Sequence, residues 1–203
     1  MKFPFFASFI VFCIWLSFEI RKHRRIQEKA SDSFWEKEAA ANNTRRKPLD
    51  DLNYIHIPFD SLPMDVLKED PGVAQCHETL YTLSKDPIVN LTGISNTDLK
   101  LKYGAPNIDL LSCYDQRYTT LARTLQTWAN ILYENGFVSE ACTVLEFAVE
   151  THTDVSSSYK LLSSIYRQNG QIDKIRSLIP IASQLNSVLS GHIVASLEEA
   201  IKQ

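Results

Sequence analysis

The chain has 203 residues and an apolar fraction of 44%, enough for one compact domain with its own core beside a short N-terminal segment. Its net charge of −3 hides an asymmetry: residues 1–47 carry ten Lys/Arg against five Asp/Glu, and residues 48–203 carry eleven against nineteen. An acidic main domain argues against nucleic acid as a partner, since nucleic-acid binders present basic faces, and four scattered cysteines without a Cys-x-x-Cys pair argue against a disulfide framework or a zinc site.

Phe3 to Ile20 is an apolar run with a single charge, Glu19, at its end. As a helix its 18 residues span about 27 Å, close to the roughly 30 Å of a bilayer's hydrocarbon core. Pro4 falls in the first turn, where its missing N–H costs nothing. Trp15 sits near a boundary, where aromatic rings are common. No small-residue cleavage site follows, so the run reads as an uncleaved transmembrane helix over residues 1–20 rather than a signal peptide. Arg21, Lys22, Arg24 and Arg25 form a basic collar on its C-terminal side. The collar suits an anionic membrane surface, and the positive-inside rule then places the following domain in the cytoplasm of a single-pass cell-membrane protein.

No Gly or Pro interrupts Phe5 to Lys47. Ile26, Ala30, Phe34 and Ala41 recur at nearly helical spacing, so the span is expected to continue as a rod to about Asn42. Ser33 with Glu36 offers a second possibility, a capping box that starts a separate helix. Residues 21–47 are thus a basic juxtamembrane helix. Residues 48–70 read as an extended, proline-containing linker, with Leu52, Tyr54, Ile55, Ile57 and Phe59 between Pro48, Pro58 and Pro63. This segment is either a linker with docked apolar residues or an internal peptide lying in a groove of the domain.

Residues 71–203 read as a helical domain. Asp70 is expected to cap a helix starting at Pro71. The stretch Asn90-Leu-Thr-Gly93 through Asp98 is turn-prone and lacks the Gly-Lys-Ser/Thr ending of a phosphate loop. A short helix from Thr97 to Tyr103 should close at Gly104, and Asn107 should cap a helix from Ile108. Helices near 71–84 and 97–119 supply a degenerate first hairpin.

The strongest pattern covers residues 122–187. Leu125, Trp128, Ala129, Leu132 and Gly136 are followed 34 residues later by Tyr159, Leu162, Ser163, Tyr166 and Gly170. Ala141, Leu145 and Ala148 match Ile175, Ile179 and Ala182 at the same offset. A period of two helices joined by a glycine turn resembles the tetratricopeptide repeat. There are departures: Ile175 stands where that family favours Ala, Thr153 replaces the proline at the repeat's end, and Pro180 is expected to kink or split the last repeat helix. Leu189, Ile193, Leu197 and Ile201 mark a final capping helix. The expected fold is therefore all-α: an N-terminal transmembrane helix followed by a short tetratricopeptide-like helical-hairpin solenoid.

The whole chain is also similar to uncharacterised single-span membrane proteins of clostridial-type Gram-positive bacteria. The likeness lies in the apolar N-terminus, the basic collar, Leu52-Asn-Tyr-Ile55, Asn90-Leu-Thr-Gly93, Asn96-Thr-Asp-Leu-Lys100 and the repeat-like C-terminus. It implies no function.

Signals for chemistry are absent. The five histidines, His23, His56, His77, His152 and His192, are scattered. There is no Gly-x-Ser-x-Gly, no His-Glu-x-x-His and no glycine-rich phosphate loop. Neither a catalytic residue, nor a metal ligand, nor a cofactor site is expected, and the chain reads as a non-enzyme. The tetratricopeptide resemblance implies a groove lined by the first helix of each repeat. Its residues here are Arg123, Gln126, Asn130 and Tyr133, then Lys160, Ser164 and Arg167. Three of the seven are basic, which suits a peptide or protein partner with acidic groups. The expected function is a membrane-tethered protein–protein interaction module, an adaptor or scaffold. A structural or assembly subunit of a membrane or envelope complex is the alternative.

Overall fold

With no Gly or Pro to interrupt it, the N-terminal sequence forms one continuous helix, α1 (Pro4–Asn42), so Ser33 does not begin a new one. The computed structural model describes residues 4–202, without the side chains of residues 4–8, 26 and 30. Lys2 and Phe3 therefore lie outside the described residues, as do the side chains of Ile26 and Ala30. All named elements among the described residues are helical. They are α2 (Pro71–Leu83), α3 (Asn96–Tyr103), a 3₁₀ turn (Ala105–Asn107), α4 (Ile108–Glu134), α5 (Val138–Glu150), α6 (Ser156–Gln168), α7 (Ile172–Ser183) and α8 (Ser190–Lys202).

Among the described residues no helix is long and apolar enough to cross a membrane. This corrects the expected transmembrane helix of residues 1–20, and with it the single-pass cell-membrane placement with a cytoplasmic domain. Charge bounds the apolar end of α1: Glu19 lies inside it, and Arg21, Lys22, Arg24 and Arg25 follow Ile20 at once, where charged side chains are costly in hydrocarbon.

The chain divides into two compact units: Met1–Lys47 with Asn96–Asn107, and Pro48–Ser95 with Ile108–Gln203. In the first unit α3 packs on the C-terminal part of α1. Ala41, Leu99 and Tyr103 are buried there. Polar bonds frame them: Lys100 Nζ donates to Glu38 Oε1 at 2.6 Å and to Asn42 Oδ1 at 2.8 Å. Thr97 also donates to Glu38, and Lys37 pairs with Asp98 at 2.7 Å. The bonds from Lys100 and then Thr97 hold the Glu38 carboxyl below the usual carboxylate range. Gly104 closes α3 at φ 94°, and a Cβ there would strike the Arg45 carbonyl, so both conformation and space demand glycine. The Asn107 side-chain amide donates to the carbonyls of Lys47 and Tyr103. The expected helix over 97–119 is two elements: α3, which packs with α1, and the start of α4, on which α2 packs.

In the second unit α2 and α5 both pack on α4, α6 packs on α5 and α7, and α8 packs on α6 and α7. Asp70 caps α2, its Oδ1 accepting from the N–H groups of Gly72 and Val73. The 34-residue register is visible in burial. Leu125, Trp128, Ala129 and Leu132 are buried, and so are Tyr159, Leu162, Ser163 and Tyr166. Each fully buried large aliphatic or aromatic side chain contributes about 1.5–3 kcal/mol over exposure. Gly136 and Gly170 turn the chain at φ 85° and 68°, with no atom within 4 Å of a would-be Cβ. Conformation alone selects glycine at these two positions. Pro180 does not split α7, which continues to Ser183. The proline removes one donor near the helix end, where little ladder is left to break.

The segment 48–63 is docked. Leu52 and Leu62 are buried, and Ile55, Ile57 and Phe59 pack on the core. Ile55 N donates to the Ile88 carbonyl at 2.9 Å, and Tyr54 bridges Val89. Phe59 stacks on Tyr81 of α2, and Tyr54 meets Tyr114 of α4 edge to face.

Candidate functional site

The expected groove residues separate into two groups. On α4, Arg123 and Asn130 are exposed, Tyr133 is half-buried and Gln126 is buried. Gln126 is tied down: its Nε2 donates to Asn130 Oδ1 at 2.8 Å, and its Oε1 accepts from Ser158 of α6. The Tyr133 hydroxyl accepts from Gln168 at the far end of α6. Gln126, Asn130 and Tyr133 thus form or support the joint between α4 and α6, where adjacent repeat helices meet. On α6, Lys160, Ser164 and Arg167 line one cleft of about 290 Å³ together with Ser163, Ser196 and Glu199. Its other wall is α8, which the sequence marks only as a terminal cap. Arg123 and the remaining α4 residues do not line this cleft.

A larger cleft, about 400 Å³, opens where four segments of the second unit converge: 53–56, 90–94, 147–154 and 184–187. Its walls are fixed by hydrogen bonds. Asn90 Nδ2 donates to the carbonyls of both Thr151 and His152, each at 3.1 Å, while Asn90 Oδ1 accepts from Thr92 N at 3.0 Å. The Tyr118 hydroxyl donates to the Thr151 carbonyl and the Tyr159 hydroxyl to the Thr153 carbonyl. Ser187 donates to Asp154 Oδ2 at 2.7 Å. Gly93, at φ 79°, lies so close to the Asn186 backbone that no Cβ fits. His152 adopts φ 58°, a left-handed conformation that costs a non-glycine residue about 1–3 kcal/mol unless its surroundings impose it. The Asn90 clamp on its carbonyl supplies that constraint.

The electrostatics of this end follow from burial. Burial first, then the Asp154 charge, pushes the Tyr159 hydroxyl up to about 12, and burial likewise raises Tyr118. Both phenols are therefore neutral donors. Farther along α5, Cys142, Glu146, Tyr166 and Lys174 form a network: Tyr166 donates to Glu146 Oε1 at 2.6 Å and Lys174 at 3.2 Å. Burial acts against the Glu146 charge, but these two bonds outweigh it and hold the carboxyl below its usual value. Burial and the Glu146 charge push the Cys142 thiol up to about 11, which leaves it a poor nucleophile.

No protein-family model, curated protein or solved structure matches this chain.

The sequence carries partial signals for the larger cleft. Asn90-Leu-Thr-Gly93 is visibly a turn, but its clamp on residues more than sixty positions away has no local signature. Thr153, a departure from the repeat pattern, has a structural role: it is buried, its Oγ1 accepts from Val155 N at 3.2 Å, and its carbonyl accepts from Tyr159. A proline there would lack both that hydroxyl and the backbone N–H, which donates to the Ala148 carbonyl at 3.3 Å.

Proposed function

We propose that the second unit is a protein-interaction module, an adaptor or scaffold, that captures an acidic group of a peptide or partner protein and does not itself catalyse a reaction. The observation that carries this reading is the gathering of Lys160, Ser164 and Arg167 with Ser163 and Ser196 in one cleft. A carboxylate entering it finds an ammonium, a guanidinium and the Ser164 and Ser196 hydroxyls together, while the buried Ser163 hydroxyl donates to the Lys160 carbonyl. Charge-assisted bonds of this kind are about twice as strong as neutral ones. Glu199 borders the same cleft, so an incoming acid must compete with a resident one, which selects for more than one contact. The test is titration of the full chain with a tetraglutamate peptide bearing a free C-terminus. Lys160→Glu with Arg167→Glu should abolish saturable binding. The thermal midpoint should hardly move, because exposed charges contribute little to stability. Binding that survives the double reversal defeats the reading.

A specific feature of α1 supports a second contact. Phe9, Val11, Ile14 and Phe18 are exposed, and Arg21, Lys22, Arg24 and Arg25 follow them. We propose attachment of this segment to an anionic lipid surface without a span, each basic residue contributing about 1 kcal/mol. Flotation with phosphatidylserine vesicles should fall when the four are changed to Gln. Equal flotation on neutral phosphatidylcholine vesicles would sink the charge argument.

A further inference from the structure

The larger cleft has the opposite chemistry to the one between α6 and α8. Among the described residues that line it there is no Lys or Arg, while Glu150 and Asp154 both contribute carboxylates. A phosphate or carboxylate ligand would enter against two negative charges with no cation to offset them. Glu150 is exposed, and Asp154 is half-buried and held by Ser187. The rest of the lining is mixed. Asn53, Asn186 and Gln184 offer amide oxygens, and Tyr54, Ile55, Phe147 and Leu185 offer apolar surface. Acceptors beside an apolar wall match a cationic head on a hydrocarbon stem.

A bare divalent ion is a poorer fit. Such ions take six or more oxygens for calcium, or several fixed ligands for other metals. Among the described residues no group of three His, Cys, Asp or Glu side chains is placed to hold a metal. The cavity also exceeds what one ion fills: about 400 Å³ falls within the roughly 300–1,000 Å³ typical of small-molecule sites.

The walls are preorganised. Three separate side chains, Asn90, Tyr118 and Tyr159, fix the carbonyls of Thr151, His152 and Thr153. Gly93 against Asn186 locks the segment 90–94 to 184–187. A strained residue, His152, sits in the middle of this frame. A rigid frame reduces the ordering cost of binding, and none of these bonds uses the Glu150 carboxylate.

We propose that this cleft binds a protonated primary amine carried on an apolar stem, the chemistry of a lysine side chain presented by a partner. Asp154 and Glu150 take the ammonium, and Tyr54, Phe147 and Leu185 take the methylenes. The proposal is independent of the acid-binding cleft on α6.

The test uses the isotopically labelled full chain and the probe Nα-acetyl-L-lysine amide, followed by amide chemical shifts. Saturable shifts are expected within residues 90–94, 151–155 and 184–187. Nα-acetyl-L-norleucine amide, which keeps the stem and lacks the charge, should bind at least about tenfold more weakly. Glu150→Gln should weaken the lysine probe several-fold, and Glu150→Gln with Asp154→Asn at least about tenfold. Glu150→Gln alone touches no structural bond of the frame, so it remains informative if the double variant is unstable. Equal affinity for the norleucine probe, unchanged affinity in Glu150→Gln, or the absence of saturable shifts in these segments overturns the proposal.

Discussion

His77 on α2 and Trp128 on α4 meet edge to face in the core, ring centroids 4.9 Å apart and planes at 87°. Both are buried, and neither His77 Nε2 nor Trp128 Nε1 has a hydrogen-bond partner. A buried polar atom without a partner costs about 1–3 kcal/mol. The contact of the two rings is worth about 0.5–1.5 kcal/mol beyond area burial, so it does not fully offset two such atoms.

Acid sensitivity follows from this pair. Burial holds the His77 pKa below its ordinary value. The unfolded chain, with an ordinary histidine near 6.5, therefore binds more protons in the interval between the two values. Stability that is fully present above about pH 6.5 is lost as pH falls through that interval. His77→Leu should remove this component. Urea midpoints of wild type and variant should differ more at pH 5.5 than at pH 8, with the variant favoured at the lower pH. Parallel loss in both proteins would assign acid sensitivity to other groups.

Trp128 anchors the joint of α2, α4 and α5. Trp128→Ala should cost about 3–5 kcal/mol, as large-to-small core changes do. The loss should appear as a lower urea midpoint of the full chain, monitored by the far-ultraviolet signal. Trp128→Phe, which retains an aromatic ring and removes the orphaned N–H, should cost much less. Equal losses would mean that the indole nitrogen, rather than volume, is what the site requires.

The core of the second unit was legible because it is periodic. Trp128 and Leu162 stand at equivalent positions 34 residues apart, and both are fully buried. What the sequence concealed is long-range and polar. Nothing near Asn90 announces that its amide serves Thr151 and His152, and nothing near Lys160 announces that α8 forms the opposite wall of its cleft. Gln126 shows the same limit within the repeat: its position on the helix suggests a free groove face, yet Ser158 and Asn130 engage it. The partnership of α3 with α1 escaped because periodicity assigns faces, not partners. The apolar run ending at Ile20 was overvalued as a span for another reason: apolar side chains were weighed without the interruption by Glu19 and the basic collar that begins at Arg21.

Glycine substitutions separate space from conformation. At Gly170 a methyl group meets nothing within 4 Å, so Gly170→Ala should cost only the left-handed strain, about 1–2 kcal/mol. At Gly104 the same change adds a collision with the Arg45 carbonyl, and the loss should be larger. Hydrogen exchange distinguishes them. Gly104→Ala should accelerate exchange of the α3 amides, and Gly170→Ala those at the α6–α7 turn. Comparable mild effects at both sites would show that the backbone around Arg45 yields easily.

The cysteines should divide by environment. Cys13 and Cys113 are exposed, Cys142 is half-buried and Cys76 is buried. The Cys142 thiol is pushed up to about 11 by burial and by Glu146, and burial, then the Asp70 charge, raises Cys76. Because the thiolate is the reactive form, a thiol near 11 is ionised to only about one part in a thousand at pH 8. Brief treatment of the native chain with iodoacetamide at that pH should modify Cys13 and Cys113. Cys76 and Cys142 should react only after denaturation, as intact mass and peptide mapping will show. Glu146→Gln removes one cause of the Cys142 shift and leaves its burial, so that variant should label Cys142 faster than wild type while Cys76 stays protected. Rapid labelling of Cys142 in the unaltered chain would contradict the closed packing of α5 against α6 and the network of Glu146, Tyr166 and Lys174.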